Sequence, residues 1–303
     1  MQIYGGVKMN TLRAKKRNEA FGRFITFLCA ILVIIVTFSL VIFIASKGLT
    51  IFVKDGVSPI EFLTSTKWRT EANPPQVGAL TFIIGSLVVS IFGILISAPV
   101  SISSAIFMVN IAPAWGQKLL QPVIELFVGI PSVVYGWIGL SVLVPFIRNN
   151  IGGLGFSVLA GGLVLAVMMF PTIASVAADA LRAIPEELNE ASLALGATRW
   201  QTIRRVLLPA AMPGLLTAII LGLARGLGEA LAVQMVIGNA MNIPSSLLDP
   251  VHTMTSIITM EMGNTAMNTL PNDALWSIAL LLLAISLVFI LLIRFIGKKE
   301  AYK

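Results

Sequence analysis

Two ionisable residues, Arg225 and Glu229, stand inside the otherwise apolar stretch 210–238. Four residues apart, they share a face if one continuous helix carries both, and can then pair. A charge at the centre of a membrane helix costs about 2.5–3.5 kcal/mol, so two unpaired charges facing lipid would threaten insertion. They must face each other, another helix or water. Two readings stay open: an ion pair that fixes helix packing, or a lining for a path taken by a charged solute. For the second, the guanidinium offers a planar fork of donors that matches an oxyanion. Glu229 would hold Arg225 while the path is empty and keep the anion from binding too tightly. Glu125, at the inner end of another apolar stretch, is a further acid. It is placed to reach the pair or the cytoplasmic exit, or to serve as an ordinary helix-end carboxylate.

The elements that must position these residues are membrane spans. The 303 residues are 57% hydrophobic and 12% charged, about half the charge of an average soluble domain. Mean hydropathy is +0.93, which excludes a soluble enzyme. A single cysteine, Cys29, excludes a disulfide framework, and with a single histidine, His252, excludes a His/Cys zinc cluster. Charge-free stretches at 24–46, 126–147, 149–178 and 274–293 each hold enough apolar residues to cross a bilayer core. The stretch 79–112 reads as a span with a cytoplasmic extension, kinked at Pro99. With 210–238 they make six, and an all-α polytopic membrane protein. Excluding Arg225, fifteen of the basic residues fall on one side of these spans and five on the other. That asymmetry puts both termini in the cytoplasm. The net charge of +7 is thereby explained by topology, with no call for nucleic acid. The layout is a basic tail at 1–23, a first helix at 24–46, an external loop at 47–77, a core at 78–296 and a basic tail at 297–303. Within the core lie a cytoplasmic loop at 179–208 and an external loop at 239–273.

The cytoplasmic loop is patterned. Pro185 with Glu186 and Glu187 suits a helix start. Leu188, Ala191, Ser192 and Leu195 share one face, Gly196 ends the helix, and Thr198 caps a second helix with Trp200, Ile203 and Leu207 on one face. Its wording, EASLALGATRWQTIRRVLLPAAMPG, resembles the EAA coupling motif of ABC-importer permeases. Glu190 and Ala191 match the first two positions, Ser192 replaces the second alanine, and Gly196 follows at the family spacing. The segments ELFVGIPSVVYGWIGL (125–140), PTIASVAADALRAIP (171–185) and LGLARGLGEALAVQMVIGN (221–239), with the outer stretch 62–78, are similar to phosphate-specific importer permeases of the PstC type. Small departures are Ala230-Leu231 for Thr-Met and Gly85-Ser86 for Gly-Thr.

The resemblance implies a type I ABC-importer permease fold with a cytoplasmic coupling helix in a bacterial inner membrane. It implies partners: a homologous PstA-type permease, two PstB-type ATPase subunits and an external PstS-type phosphate-binding protein, with inorganic phosphate as cargo and lipid as solvent. Glu190, Ala191, Ser192 and Gly196 would seat on the ATPase, and Arg225, Glu229 and Glu125 would line the path. The chain carries no G-x-x-x-x-G-K-[ST]. Hence the reading is a transport subunit, not an enzyme, with no cofactor of its own; ATP and Mg belong to the partner ATPase. Sulfate or molybdate is the nearest alternative cargo, and an ion-coupled secondary transporter using Glu229 the more distant alternative. Gly222, Gly226 and Gly228 read as helix-packing positions. Gly129-Ile-Pro131 and Pro145 read as breaks or kinks. His252 is expected on the surface of the outer loop, Cys29 as a small apolar residue facing lipid or core, and Met235, Met254, Met260 and Met262 as packing or a docking face.

Overall fold

A computed structural model describes residues 3–300, with side chains described at Glu19 and from 22 to 291. The side chains of Lys8, Arg13, Lys15, Lys16, Arg17, Arg294, Lys298, Lys299 and Lys303, on which much of the charge asymmetry rests, lie outside the described residues. The chain is helical. In order come α1 (Ile3–Gly48), α2 (Thr50–Val53), α3 (Pro59–Thr64), α4 (Leu80–Ile106), α5 (Ala114–Gly129), α6 (Ser132–Ile138) and α7 (Val144–Asn150). After them come α8 (Val158–Arg182), α9 (Glu186–Ala194), α10 (Arg199–Thr202), α11 (Leu208–Leu227), α12 (Leu231–Val236), α13 (Met254–Glu261) and α14 (Leu270–Glu300). A two-stranded antiparallel hairpin, β1 (Trp68–Arg69) with β2 (Gln76–Val77), lies between α3 and α4 and pairs Trp68 with Val77. Six segments of the described chain are long and apolar enough to cross a membrane: Gly22–Val53, Leu80–Ile111, Ser132–Asn150, Val158–Arg182, Arg199–Leu227 and Leu270–Leu291.

Prolines shape several of these spans. Their ring collides with the carbonyl four residues back, and a wider π turn relieves the clash. Val144 N–H reaches back to Gly139 C=O just before Pro145, and Leu208 N–H to Ile203 C=O just before Pro209. Pro145 therefore sits in a continuous helical path. Gly129-Ile-Pro131 is a true break that separates α5 from α6.

α8 is the centre. Of its most apolar window 67% is buried, against 0% for the first span. Val89 of α4, Leu165, Met169, Ile173 and Ala177 of α8, and Leu215 and Ala218 of α11 form one buried cluster. α1 leans on α14 at its C-terminal end, where Phe43 meets Trp276 edge-on at 5.3 Å and Ser277 Oγ donates to Gly48 C=O at 2.7 Å. Most of its described apolar side chains, Cys29 among them, are exposed, as lipid contact requires.

The segments 50–82 and 254–278 have their own core, built on Ile51, Phe62, Phe82, Met254, Ile257 and Leu275. His252 belongs to it, contrary to the expectation of a surface residue: it is 3% exposed. Its Nδ1 lies 2.8 Å from Ser256 Oγ, and its ring meets Phe82 edge-on. Burial pulls its pKa down to about 4, because desolvation disfavours the imidazolium. Nearby, Asp249 accepts from the Ser245 N–H and hydroxyl and from the Ser246 N–H, and these bonds lower its pKa. Met254 is fully buried and packs in this core, Met235 and Met262 are part-buried, and Met260 is exposed.

Candidate functional site

The site begins with how closely α11 approaches α8. Added Cβ atoms would run into Ile173 at Gly222 and into Met169 Sδ, at 2.7 Å, at Gly226. Glycine removes both obstacles, and the helices close on each other. Gly228 takes no part, since a Cβ there would meet only its own helix carbonyls. The close approach brings Arg225 of α11 to Thr172 of α8, with Nη1 donating to Oγ1 at 3.0 Å.

Arg225 and Glu229 do not pair. α11 ends at Leu227 and Gly228 N–H closes its last turn on Ala224 C=O, so the continuous helix that i,i+4 pairing requires is absent. Glu229 sits in the break. Its Oε1 accepts from Ala232 N–H at 3.2 Å at the start of α12, and its carbonyl accepts from Thr255 Oγ1 at 2.9 Å. Among the described residues, the ion pairs within 4 Å are Lys54–Asp273 at 3.6 Å and Arg182–Asp179 at 3.5 Å. The half-buried guanidinium thus rests on a neutral hydroxyl. A membrane cation in that state still lacks a counter-charge, which suits it to meet an anion.

Around this pair, the break between α5 and α6 is bridged by Tyr135, whose hydroxyl donates to Phe127 C=O at 2.8 Å. α6 packs on α12 at Gly136, where a Cβ would press on Ala232 and Met235. A largely apolar cavity of about 560 Å³ opens between α4, α6 and α8, lined by Ser97, Val100, Tyr135, Val167 and Phe170 among others. Glu125 is elsewhere. Exposed on α5, it accepts from Gln121 Nε2 at 3.1 Å, and Arg182 Nη2 donates to Gln121 Oε1 at 3.0 Å. These contacts tie it to the α8 terminus and not to Arg225.

The 179–208 loop folds much as its residues suggest. α9 starts at Glu186 and has no buried residue. Gly196 (φ +83°) closes it: Gly196 N–H donates to Leu193 C=O and Ala197 N–H to Ser192 C=O, the two bonds of a Schellman motif. Thr198 and Gln201 form a capping box on α10. The expected faces differ in two places. Ser192 turns inward to Thr202, Oγ to Oγ1 2.9 Å. Trp200 points out, 60% exposed, while Ile203 and Leu207 are buried. Glu190, Ala191 and Gly196 are exposed, as is Leu195, at 90%. The loop therefore presents apolar side chains on a rigid, capped turn.

Residues 97–301 match the family described as binding-protein-dependent transport system inner membrane component. The chain belongs to this family. It is 54% identical over 287 residues to the probable ABC transporter permease protein YqgH of Bacillus subtilis, covering 94% of this chain and 93% of that one. It is 36% identical over 262 residues to the phosphate transport system permease protein PstC of Pasteurella multocida, covering 78% and 81%. A solved bacterial alginate ABC transporter contains a chain similar in fold, with a TM-score of 0.62 and 16% identity, covering 99% of this chain and 98% of that one. The protein is thus a membrane-embedded permease subunit of an ABC importer, as the resemblance implied. Sequence reasoning missed Thr172, Thr255 and Ser86, whose Oγ accepts from Met254 N–H at 2.8 Å. A hydroxyl directly after Pro171, inside a charge-free span, was the available signal for Thr172.

Proposed function

We propose that this permease carries inorganic phosphate into the cytoplasm, driven by ATP hydrolysis on separate subunits. The reading is supported by similarity to PstC-type permeases together with a half-buried arginine that has only a hydroxyl for company among the described residues. Arg225 meets the anion, its fork matching two phosphate oxygens. Glu229 fixes the α11–α12 break and brings negative charge near the site, while Glu125 stands toward the cytoplasmic exit. The termini and the 179–208 loop lie in the cytoplasm of a bacterial cell, in line with the basic asymmetry of the sequence. There Glu190, Ala191, Ser192 and Gly196 form the coupling turn that seats on a PstB-type ATPase. A PstA-type permease and a PstS-type phosphate-binding protein complete the assembly, and nucleotide and Mg bind the ATPase alone.

The experiment is Arg225→Gln in the assembled transporter. It abolishes phosphate uptake while the subunits still co-purify. Normal uptake by that variant contradicts the pathway role.

A further inference from the structure

Serine and threonine hydroxyls in this chain commonly spend their proton on a carbonyl of their own helix. Thr217 donates to Pro213, Thr259 to Thr255 and Ser104 to Val100, each four residues back. Thr172 differs. Its Oγ1 accepts from Arg225 Nη1 at 3.0 Å, and among the described residues it donates to no carbonyl. A hydroxyl is one donor and two acceptor sites. With an acceptor site taken by the guanidinium, the proton of Thr172 is free to point where Arg225 points. Thr172 is half-buried rather than sealed in the α8 core, whereas its neighbours Pro171, Ile173 and Ala174 are buried.

We propose that Thr172 and Arg225 together form one oxyanion subsite, in which the Thr172 hydroxyl donates directly to an oxygen of the anion held by the Arg225 fork. This rests on the proposed pathway role of Arg225 and adds a second cargo contact to it. The ligand class follows from the chemistry: a tetrahedral oxyanion offers one oxygen pair to the guanidinium and a further oxygen to the hydroxyl. A halide could accept from both donors, but as a single centre it offers no oxygen pair to match the planar fork. The hydroxyl also orients the fork while the site is empty, which lowers the cost of ordering the arginine on each passage.

The test uses the whole transporter with its partner chains in proteoliposomes and reads inorganic phosphate moved per ATP hydrolysed, with sulfate as comparator. A hydrogen bond to a charged group is strong enough that its loss lowers this ratio about tenfold or more in Thr172→Val. Thr172→Ser, which keeps the hydroxyl, stays close to the parent. A residue that merely packs α8 on α11 would lower uptake and hydrolysis together and leave the ratio unmoved. A parental ratio in Thr172→Val therefore overturns the proposal, as does a ratio in Thr172→Ser as low as in valine. Should the valine form fail to assemble, Thr172→Ala against Thr172→Ser makes the same comparison. Arg225→Gln separates the two levels. If it also keeps the parental ratio, the pathway reading itself fails; if it loses transport while Thr172→Val does not, only the shared subsite is lost.

Discussion

Gly196 is the position where one substitution series separates backbone strain from surface contact. Its φ of +83° lies in the left-handed region, yet an added Cβ would meet nothing within 4 Å. The cost of a side chain there is therefore local and conformational, about 1–2 kcal/mol for an ordinary L-residue. Asparagine tolerates this region and a β-branched residue resists it most. The strain works against the two bonds that end α9, Gly196 N–H to Leu193 C=O at 2.9 Å and Ala197 N–H to Ser192 C=O at 3.2 Å. A penalty of about 1–2 kcal/mol shifts an equilibrium roughly 5- to 30-fold, here between the capped turn and a frayed one. If the capped turn is the form that docks, binding of the ATPase weakens up to that factor. The assay is the amount of ATPase retained on the purified permease, with phosphate-stimulated hydrolysis as the second reading. The expected order is parent close to Gly196→Asn, then Gly196→Ala, then Gly196→Val. Retention by Gly196→Val equal to the parent would refute the reasoning. Loss in Gly196→Asn as deep as in Gly196→Val would show that side-chain bulk at the docked face governs instead.

Two further outcomes follow from packing and burial. Ala at Gly222 meets the stiff, fully buried Ile173, at Gly226 the flexible Met169 thioether, and at Gly228 only its own helix. Overpacking costs about 1–3 kcal/mol at Gly222, less at Gly226 and little at Gly228, an order that thermal unfolding of the purified complex reads directly; equal midpoints would contradict it. For His252, with a pKa of about 4 against about 6.5 when unfolded, the unfolded chain binds the extra proton between those values. Stability therefore falls as pH drops from about 6.5 toward 4, by up to roughly 3 kcal/mol, and His252→Asn flattens that slope in a pH series of unfolding midpoints. An unchanged slope would remove His252 as its source.

The spans were legible because charge is so costly in lipid that its absence over some twenty residues is hard to explain otherwise. The capped turn between α9 and α10 is legible for local reasons: Gly196 and Thr198 act through their own backbone neighbourhood. What escaped was set by distant partners. Arg225 and Glu229 carry helical spacing, and the chain that turns between them is held by a distant segment, Thr255 donating to the Glu229 carbonyl. Gly228 reads as a packing glycine in the sequence, whereas in the structure α11 ends at it. His252 looked like a loop residue because its burial comes from Phe82 and the close approach of its carbonyl to Gly85, contacts more than 150 residues apart in sequence. Trp200 points outward while Ile203 and Leu207 are buried, and the π turn at Ile203–Leu207 breaks the regular spacing that would align Leu207 with Trp200.

The central claim is ATP-driven phosphate import, and uptake tests it most directly. Radiolabelled phosphate is offered to vesicles holding this permease with its partner subunits and binding protein, with and without ATP, and with excess sulfate. The expected result is uptake that requires ATP and is untouched by sulfate. Uptake driven by a proton gradient without ATP, or ATP-dependent uptake of sulfate in place of phosphate, would contradict it.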